Sequence, residues 1–257
     1  MAGTSIYSVY RRTARAAAKQ QVVKKTSSVD VDKARSDFAY FCDVVGDKPP
    51  AEHMHLWHEH LYTHQDSECL INIAGPNVDI LAPRGSAKST VLGLFTAWAI
   101  GVHALNRKPL KILYISYTVD VARPKSAAIK RIIEDSKIYR EIFPMVKIAK
   151  GINSNEYWSI DWKFAGIRST GEEEFSLCCA GLKGAVTSKR SHLCIIDDAI
   201  KSADDIKNRD IRVAMEDNWN SVIVPTMFEG GRAICLGTRF RHDDIHQTTF
   251  IPDNDWI

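Results

Sequence analysis

Long apolar runs are missing from this chain of 257 residues. The most apolar stretch, residues 91–102, is 12 residues long and ends before His103, whereas a membrane-spanning helix needs about 20. The six cysteines show no CxxC spacing, and several lie inside apolar segments. These absences argue against a helical membrane protein and a disulfide-rich secreted domain, and they predict buried free thiols in a reducing cytosol.

Acidic residues are absent from the first 29 positions, which contain six Lys or Arg residues. The whole chain carries a net charge of only +3, so the remainder is net negative. Composition favours a basic, flexible leader over residues 1–29. An arm that contacts nucleic-acid phosphates or a partner protein is one alternative, and a transit peptide is another.

Apolar periodicity predicts a helical start followed by an α/β domain. Spacings of 3 and 4 predict helices within residues 30–66, interrupted at Pro49 and Pro50. Nearly continuous apolar strands separated by helices then predict a mainly parallel central sheet covered by helices on both faces. The predicted strands are 78–81, 111–117, 175–179, 193–196 and 233–236, with helices at 89–104 and 121–135.

Residues 82–90, Ala-Pro-Arg-Gly-Ser-Ala-Lys-Ser-Thr, follow a predicted strand and open a predicted helix. This is the context of a P-loop, in which backbone N–H groups and the helix dipole bind phosphate. We predict that Lys88 places its charge between the β- and γ-phosphates and that the Ser89 hydroxyl binds Mg²⁺. The predicted nucleotide-binding residues are Pro83, Arg84, Gly85, Ser86, Ala87, Lys88, Ser89 and Thr90.

The loop departs from the pattern G-x-x-x-x-G-K-[ST] because Ala82 and Ala87 occupy its glycine positions. Alanine tolerates a positive φ poorly, so the sequence predicts either a different loop path or that Gly85 supplies the freedom. For this segment alone, an ordinary strand-to-helix turn with one exposed lysine is the alternative.

Two later apolar strands also end in polar residues. Residues 193–196 precede Asp197 and Asp198 in the form of a Walker B element. We predict that Asp197 holds Mg²⁺ through its water and that Asp198 orients or deprotonates the attacking water. Residues 233–236 precede Gly237, Thr238 and Arg239, from which a γ-phosphate can be sensed. A turn or helix cap is the alternative for each strand end in isolation.

Together, these segments resemble the ATPase domain of a large terminase subunit, the motor that packages DNA into tailed-phage heads. The resemblance covers roughly residues 35–257, and its markers are residues 83–89, 196–198 and 237–244. It implies an α/β P-loop NTPase fold of the ASCE type, with ATP and Mg²⁺ as cofactors. It also implies ATP hydrolysis coupled to translocation of double-stranded DNA into a procapsid.

The same resemblance implies partners and a location. The partners are the portal protein and the small terminase subunit, and assembly gives a homo-oligomeric ring, with a monomer in isolation as the alternative. The location is the host cytoplasm, transiently at the procapsid portal. No membrane partner is expected.

The resemblance also assigns residue roles. Arg84 is similar to a cis arginine that stabilises transition-state charge, and it joins Lys88 and Asp198 as a catalytic residue. Asp198 stands where many relatives carry glutamate. The coupling motif that links hydrolysis to DNA movement is represented by Gly237, Thr238 and Arg239. Lys189 and Arg190 are candidates for a trans-acting residue donated to a neighbouring subunit, with a solvated basic face as the alternative.

Full-length relatives carry a C-terminal nuclease domain, for which the residues after 244 are too few. We therefore expect residues 30–257 to form an isolated P-loop ATPase domain without nuclease activity. A non-catalytic nucleotide-binding assembly module is the main alternative, favoured by Ala82, Ala87 and the aspartate at 198. A helicase-like P-loop motor would need a second lobe.

Histidines crowd into residues 53–64, at positions 53, 55, 58, 60 and 64. No cysteine lies at ligand spacing, so a zinc site is disfavoured and surface or nucleotide-pocket histidines are expected.

Overall fold

The computed structural model describes residues 29–46, 51–65, 70–72, 75–168, 175–184, 186, 189–253 and 255–257. Apart from Val29, the predicted leader lies outside these ranges. The helices are α1 (Val31–Ser36), α2 (Phe38–Val45), α3 (Glu52–Leu61), α4 (Lys88–Leu105), α5 (Val119–Asp135), α6 (Lys137–Ile142) and α7 (Arg209–Asn218). None of these described helices has the length and apolarity that crossing a membrane requires.

The strands are β1 (Thr63–Gln65), β2 (Leu70–Asn72), β3 (Val78–Leu81), β4 (Ile112–Ser116), β5 (Ile148–Asn153), β6 (Tyr157–Ile160), β7 (Leu177–Gly181), β8 (Ser191–Asp197) and β9 (Met227–Gly237). β1 and β2 form an antiparallel pair, and the others form one seven-stranded sheet in the order β3-β9-β8-β4-β7-β6-β5. Strands β3, β9, β8, β4 and β7 pair in parallel, whereas β6 is antiparallel to β7 and to β5. The mainly parallel α/β sheet predicted from the sequence is confirmed.

Helices and turns cover both faces of this sheet because successive strand residues alternate between two cores. In β4, Ile112 and Tyr114 belong to a core that includes residues from α1 to α6. Their neighbours Leu113 and Ile115 belong to a second core, which α7 and the segment that follows it cover. Both faces of β4 are therefore buried, as its continuous apolar sequence predicts. The described cysteines at 42, 178, 179, 194 and 235 are buried and free, in agreement with the prediction for thiols.

The outer edge of β3 is covered by the last described residues. Asn77 N–H donates to the carbonyl of Asp255 at 2.8 Å, and Asp79 N–H donates to that of Ile257 at 3.0 Å. Trp256 holds this segment in place, because its ring stacks on Phe250 with centroids 4.2 Å apart. The segment thus satisfies backbone groups of a strand that would otherwise be an open edge.

The carboxyl ends of four neighbouring strands meet at one edge of the sheet. In parallel register, β3 ends at Leu81, β9 at Gly237, β8 at Asp197 and β4 at Ser116. Ligands of open α/β sheets bind at this edge, where the loops that follow the strands converge. The fold therefore brings together the sequence segments around residues 82, 198 and 238.

One histidine of α3 is part of the core. His58 is 5% exposed, and its ring centroid lies 4.7 Å from that of Phe38. Within the described structure neither ring nitrogen has a hydrogen-bond partner. Burial lowers the pKa of His58 to about 4. The expectation of a surface or pocket position is therefore wrong for His58, because its helix presents this side chain to the aromatic core.

We predict that His58 makes the fold sensitive to acid. In the unfolded chain a histidine protonates near pH 6.5, whereas folded His58 stays neutral until about pH 4. The stability that His58 contributes is thus complete above pH 6.5 and decreases as the pH falls below it. At pH 5 the free energy of unfolding should be lower by about 2 kcal/mol because of His58. Urea unfolding of wild type and His58→Phe at pH 7 and pH 5 should show a smaller loss in the variant. An equal loss would contradict the prediction, and His60→Phe, at an exposed position, is the control.

Candidate nucleotide site

A cavity of about 480 Å³ lies at the carboxyl edge of the sheet. This volume falls in the range of small-molecule sites. Its walls come from residues 84–90, the start of α5, and the loops that follow β8 and β9. Four basic residues and one carboxylate line it: Arg84, Lys88, Lys125, Lys201 and Asp198. The excess of positive charge suits an anionic ligand.

The loop before α4 contains two residues in the left-handed conformation. Gly85 has φ 83° and Ala87 has φ 59°. Ala87 is also the N-cap of α4, and its side chain makes no capping hydrogen bond. The first N–H groups of the helix therefore have no side-chain partner at the end that faces the cavity. Gly85 therefore supplies conformational freedom, as one of the two predicted alternatives has it, and Ala87 itself adopts the left-handed conformation. His53 of α3 lies beside this loop, with its Nε2 3.3 Å from the carbonyl oxygen of Ser86.

Lys88 connects the loop to the end of β9. Its buried ammonium group donates to the carbonyls of Ala82 and Pro83 and to the hydroxyl of Thr238, each at 2.9 Å. Thr238 in turn donates to the carbonyl of Ala82 at 3.0 Å. The carboxylate of Asp198 lies 3.9 Å from the Lys88 Nζ. The predicted P-loop lysine thus contacts both the second Walker B carboxylate and the coupling threonine.

Asp197 is the buried centre of the site. Ser89 Oγ donates to its Oδ1 at 2.9 Å, so the two predicted metal ligands are adjacent. The Tyr114 hydroxyl donates to Oδ2 at 2.6 Å, and Lys125 Nζ lies 2.9 Å from the same oxygen. Burial raises the pKa of Tyr114 well above its ordinary value, which keeps this donor protonated. A hydroxyl beside a carboxylate is a hard oxygen donor set that fits Mg²⁺.

Asp198 faces the cavity from a strained backbone. Its φ is 52°, and its N–H donates to the carbonyl of Leu236 at 3.1 Å. This turn directs the side chain, 37% exposed, towards Lys88. Burial raises the pKa of Asp198 above its ordinary value, Lys88 opposes the shift and Asp197 adds to it. A carboxylate with a raised pKa at the cavity wall can accept a proton from water.

Arg84 contacts the segments that follow β8 and β9. It donates to the carbonyl of Lys201, and its guanidinium carbon lies 5.3 Å from the ring centroid of Phe240. Arg239 is exposed, and its Nε donates to the carbonyl of Arg241 at 3.3 Å. None of the three predicted coupling residues lines the cavity. Thr238 contacts Lys88, and the carbonyl of Gly237 accepts from the N–H of Ala82 at 3.0 Å.

Gly237 lets a buried histidine approach the end of β9. A Cβ at this position would lie 2.6 Å from Cε1 of His246, closer than side chains tolerate. His246 is held there by Asp79, since its Nδ1 lies 3.0 Å from both carboxylate oxygens. This contact fixes the backbone next to Thr238.

Lys189 and Arg190 lie at the opposite edge of the sheet. They precede β8, whose seven residues end at Asp197, so about 20 Å of strand separates them from the cavity. Lys189 Nζ lies 4.5 Å from the Tyr157 ring, and Arg190 Cζ lies 4.7 Å from the Phe228 ring. The structure does not bring them to the site of their own chain, and a trans-acting role stays a prediction.

Several residues at the site were missed by the sequence analysis. Tyr114 and Lys125 lie in the second predicted strand and helix, and His246 lies beyond the coupling segment. The available signal was a lysine near the start of a helix that follows a parallel strand. This signal assigns Lys125 to the site only when the strand order β9-β8-β4 is known, and apolar periodicity does not reveal strand order.

We predict that Ala87→Gly stabilises the fold. Glycine removes the conformational cost of a left-handed alanine at φ 59°, but its greater backbone freedom in the unfolded chain offsets part of this gain. The net increase in the free energy of unfolding should be about 0.5–1 kcal/mol. The measurement is the free energy of unfolding in urea. Ala128→Gly, at an exposed position of α5, is the control and should cost about 1 kcal/mol. A loss of similar size at position 87 would contradict the assigned backbone.

Gly237→Ala should destabilise the fold by about 1–3 kcal/mol, because the added methyl group overlaps the His246 ring. The double variant Gly237→Ala/His246→Ala lacks that ring. Its stability should therefore be close to that of His246→Ala alone. Gly151→Ala is the control, since a Cβ there meets nothing within 4 Å. Thermal unfolding of the four variants provides the comparison. Equal effects at positions 237 and 151 would contradict the assigned contact.

Comparison with known proteins gives matches among solved structures. No protein-family model and no curated protein matches the chain. Among solved structures, the chain is similar to the HK97 bacteriophage large terminase, with a TM-score of 0.48 and 11% sequence identity. The similarity covers 85% of this chain and 40% of the terminase, so the chain spans less than half the length of that protein.

Proposed function

We propose that this chain is an ATP-hydrolysing motor domain of the DNA-packaging terminase kind, with a P-loop fold of the ASCE type. One observation carries the proposal. Residues far apart in the sequence meet at one cavity: Lys88 and Ser89 line it, Ser89 donates to the buried Asp197 and Lys88 donates to Thr238. Their donor types and positions match the requirements of a magnesium nucleotide site.

Phosphate binding follows from the start of α4. The uncapped N–H groups at this helix end and the helix dipole favour an anion. Lys88 supplies a charge at the floor of the cavity, and Arg84 adds a guanidinium group at its rim. Such pre-positioned charges stabilise negative charge that develops during phosphoryl transfer.

The two aspartates have different roles in this proposal. Asp197 and Ser89 would hold Mg²⁺, which neutralises phosphate charge when it is bound. Asp198 faces the open part of the cavity, and the raised pKa of its carboxyl group suits it to accept a proton from water.

The contact between Lys88 and Thr238 supports the motor part of the proposal. All three Lys88 hydrogens are directed at protein oxygens, one of them on Thr238. A phosphate that accepts from Lys88 competes with Thr238, and this competition links nucleotide state to the end of β9. Arg84 provides a second link through Phe240.

The DNA part of the proposal rests on the resemblance of residues 83–89, 196–198 and 237–244 to terminase motifs. Double-stranded DNA, the portal protein, the small terminase subunit and a homo-oligomeric ring are the partners that this resemblance implies. Arg239 is the exposed member of the predicted coupling residues.

We predict that Lys88→Ala lowers the steady-state rate of ATP hydrolysis at least about 100-fold, because the main phosphate charge is lost. The rate is measured with Mg²⁺, with and without linear double-stranded DNA. Lys163→Ala, which removes an exposed lysine outside the cavity, is the matched control and should keep the wild-type rate. DNA stimulation of the wild type, absent in Lys88→Ala, supports the motor function.

Three other outcomes separate the alternatives. Hydrolysis by Lys88→Ala at the wild-type rate would overturn the site assignment. ATP that binds to the wild type and survives for hours with Mg²⁺ and DNA would favour the nucleotide-binding assembly module. Hydrolysis without any response to DNA would retain the ATPase and reject coupling to translocation.

A further inference from the structure

Lys125 occupies a position next to the buried carboxylate that no predicted role explains. Its Nζ lies 2.9 Å from Oδ2 of Asp197, 3.2 Å from the backbone carbonyl oxygen of the same residue and 3.4 Å from Ser116 Oγ. These oxygens belong to the ends of β8 and β4, whereas Lys125 comes from α5. The ammonium group therefore bridges a helix to two strand ends.

The burial of Asp197 makes this contact necessary. The Asp197 side chain has no solvent exposure, and an ionised carboxylate without a countercharge is costly in a protein interior. Lys88 does not contact Asp197, because its three hydrogens are directed at Ala82, Pro83 and Thr238. Tyr114 and Ser89 donate hydrogen bonds but carry no positive charge. In the described structure, Lys125 is the cation in direct contact with Asp197.

Lys125 can also leave this position. Its side chain is 20% exposed, and it lines the same cavity as Arg84 and Lys201. A rotation of the flexible lysine stem would carry the ammonium group into the cavity without movement of α5. The negative charge left on Asp197 would then be available to another cation.

We propose that Lys125 is a resident countercation of Asp197 that competes with the divalent metal for this carboxylate. Metal binding at Asp197 is then an exchange of one cation for another, and Lys125 moves towards the cavity as the metal enters. The inference rests on the proposed function in one respect: Asp197 is taken as the metal-binding carboxylate. It makes Lys125 a residue that sets metal affinity and not a part of the phosphate site.

The test is Mn²⁺ binding without nucleotide, measured by electron paramagnetic resonance of the free ion. Lys125→Met keeps the length of the stem and removes the charge, so it should lower the Kd for Mn²⁺ about tenfold or more. Lys201→Met removes one positive charge from the same cavity without touching Asp197, and it should change the Kd less than about threefold. Equal effects of the two variants, or weaker Mn²⁺ binding by Lys125→Met, would overturn the proposal.

A second measurement, of melting temperature, tests the proposal if Lys125→Met is too unstable for the Mn²⁺ titration. Lys125→Met leaves Asp197 buried without a countercharge, so its melting temperature should fall by about 10 °C without divalent metal. Mn²⁺ should restore most of this loss in Lys125→Met. Lys125→Met/Asp197→Asn, which removes both charges, should melt near the wild type and should not respond to Mn²⁺. A double variant as unstable as Lys125→Met would show that Lys125 acts only through packing.

These readouts separate the inference from the proposed function because none uses ATP. A chain that fails to hydrolyse ATP but shows tighter Mn²⁺ binding in Lys125→Met retains the inference and loses the function. A chain that loses hydrolysis in Lys88→Ala but shows the same Mn²⁺ affinity in wild type and Lys125→Met retains the function and loses the inference.

Discussion

The carboxylate of Asp197, buried at the end of a central strand, is the constraint on which this site depends. It receives hydrogen bonds from Ser89 at the start of α4 and from Tyr114 in β4, and it pairs with Lys125 of α5. Each partner satisfies part of a charge that would otherwise oppose folding. The carboxylate thereby fixes two helices and two strands relative to one another. The cavity is the space that these elements leave above it.

A second constraint acts on the loop that closes the site. The backbone must turn left-handed twice before α4, and it does so at one glycine and one alanine. The alanine costs about 1–2 kcal/mol in this conformation. Lys88 offsets part of this strain, because it donates to two carbonyls of the loop itself. The same side chain that would bind phosphate therefore also holds the loop in shape.

The sequence predicted the parallel sheet and the segments of the site, but it did not predict their full surroundings. Strand 78–81 is confirmed with its bounds, and helix 89–104 is confirmed within one residue at each end, because apolar periodicity and the loop motif mark both. The strands at 148–153 and 157–160 were not predicted, since the first is mostly not buried and the second has only four residues. Lys125 and His246 could not be assigned from spacing, because their contacts arise from strand order. The burial of His58 likewise depends on which face of α3 meets Phe38.

The segment that lies along β3 has a consequence for how copies of the protein meet. Strand β3 ends in the loop that precedes α4, and its outer backbone groups are satisfied by Asp255 and Ile257. An uncovered edge strand pairs readily with the same strand of another molecule and leads to aggregation. The stacking of Trp256 on Phe250 thus keeps this edge covered and opposes aggregation through it. A contact between copies of the chain that continues this sheet through β3 is therefore opposed.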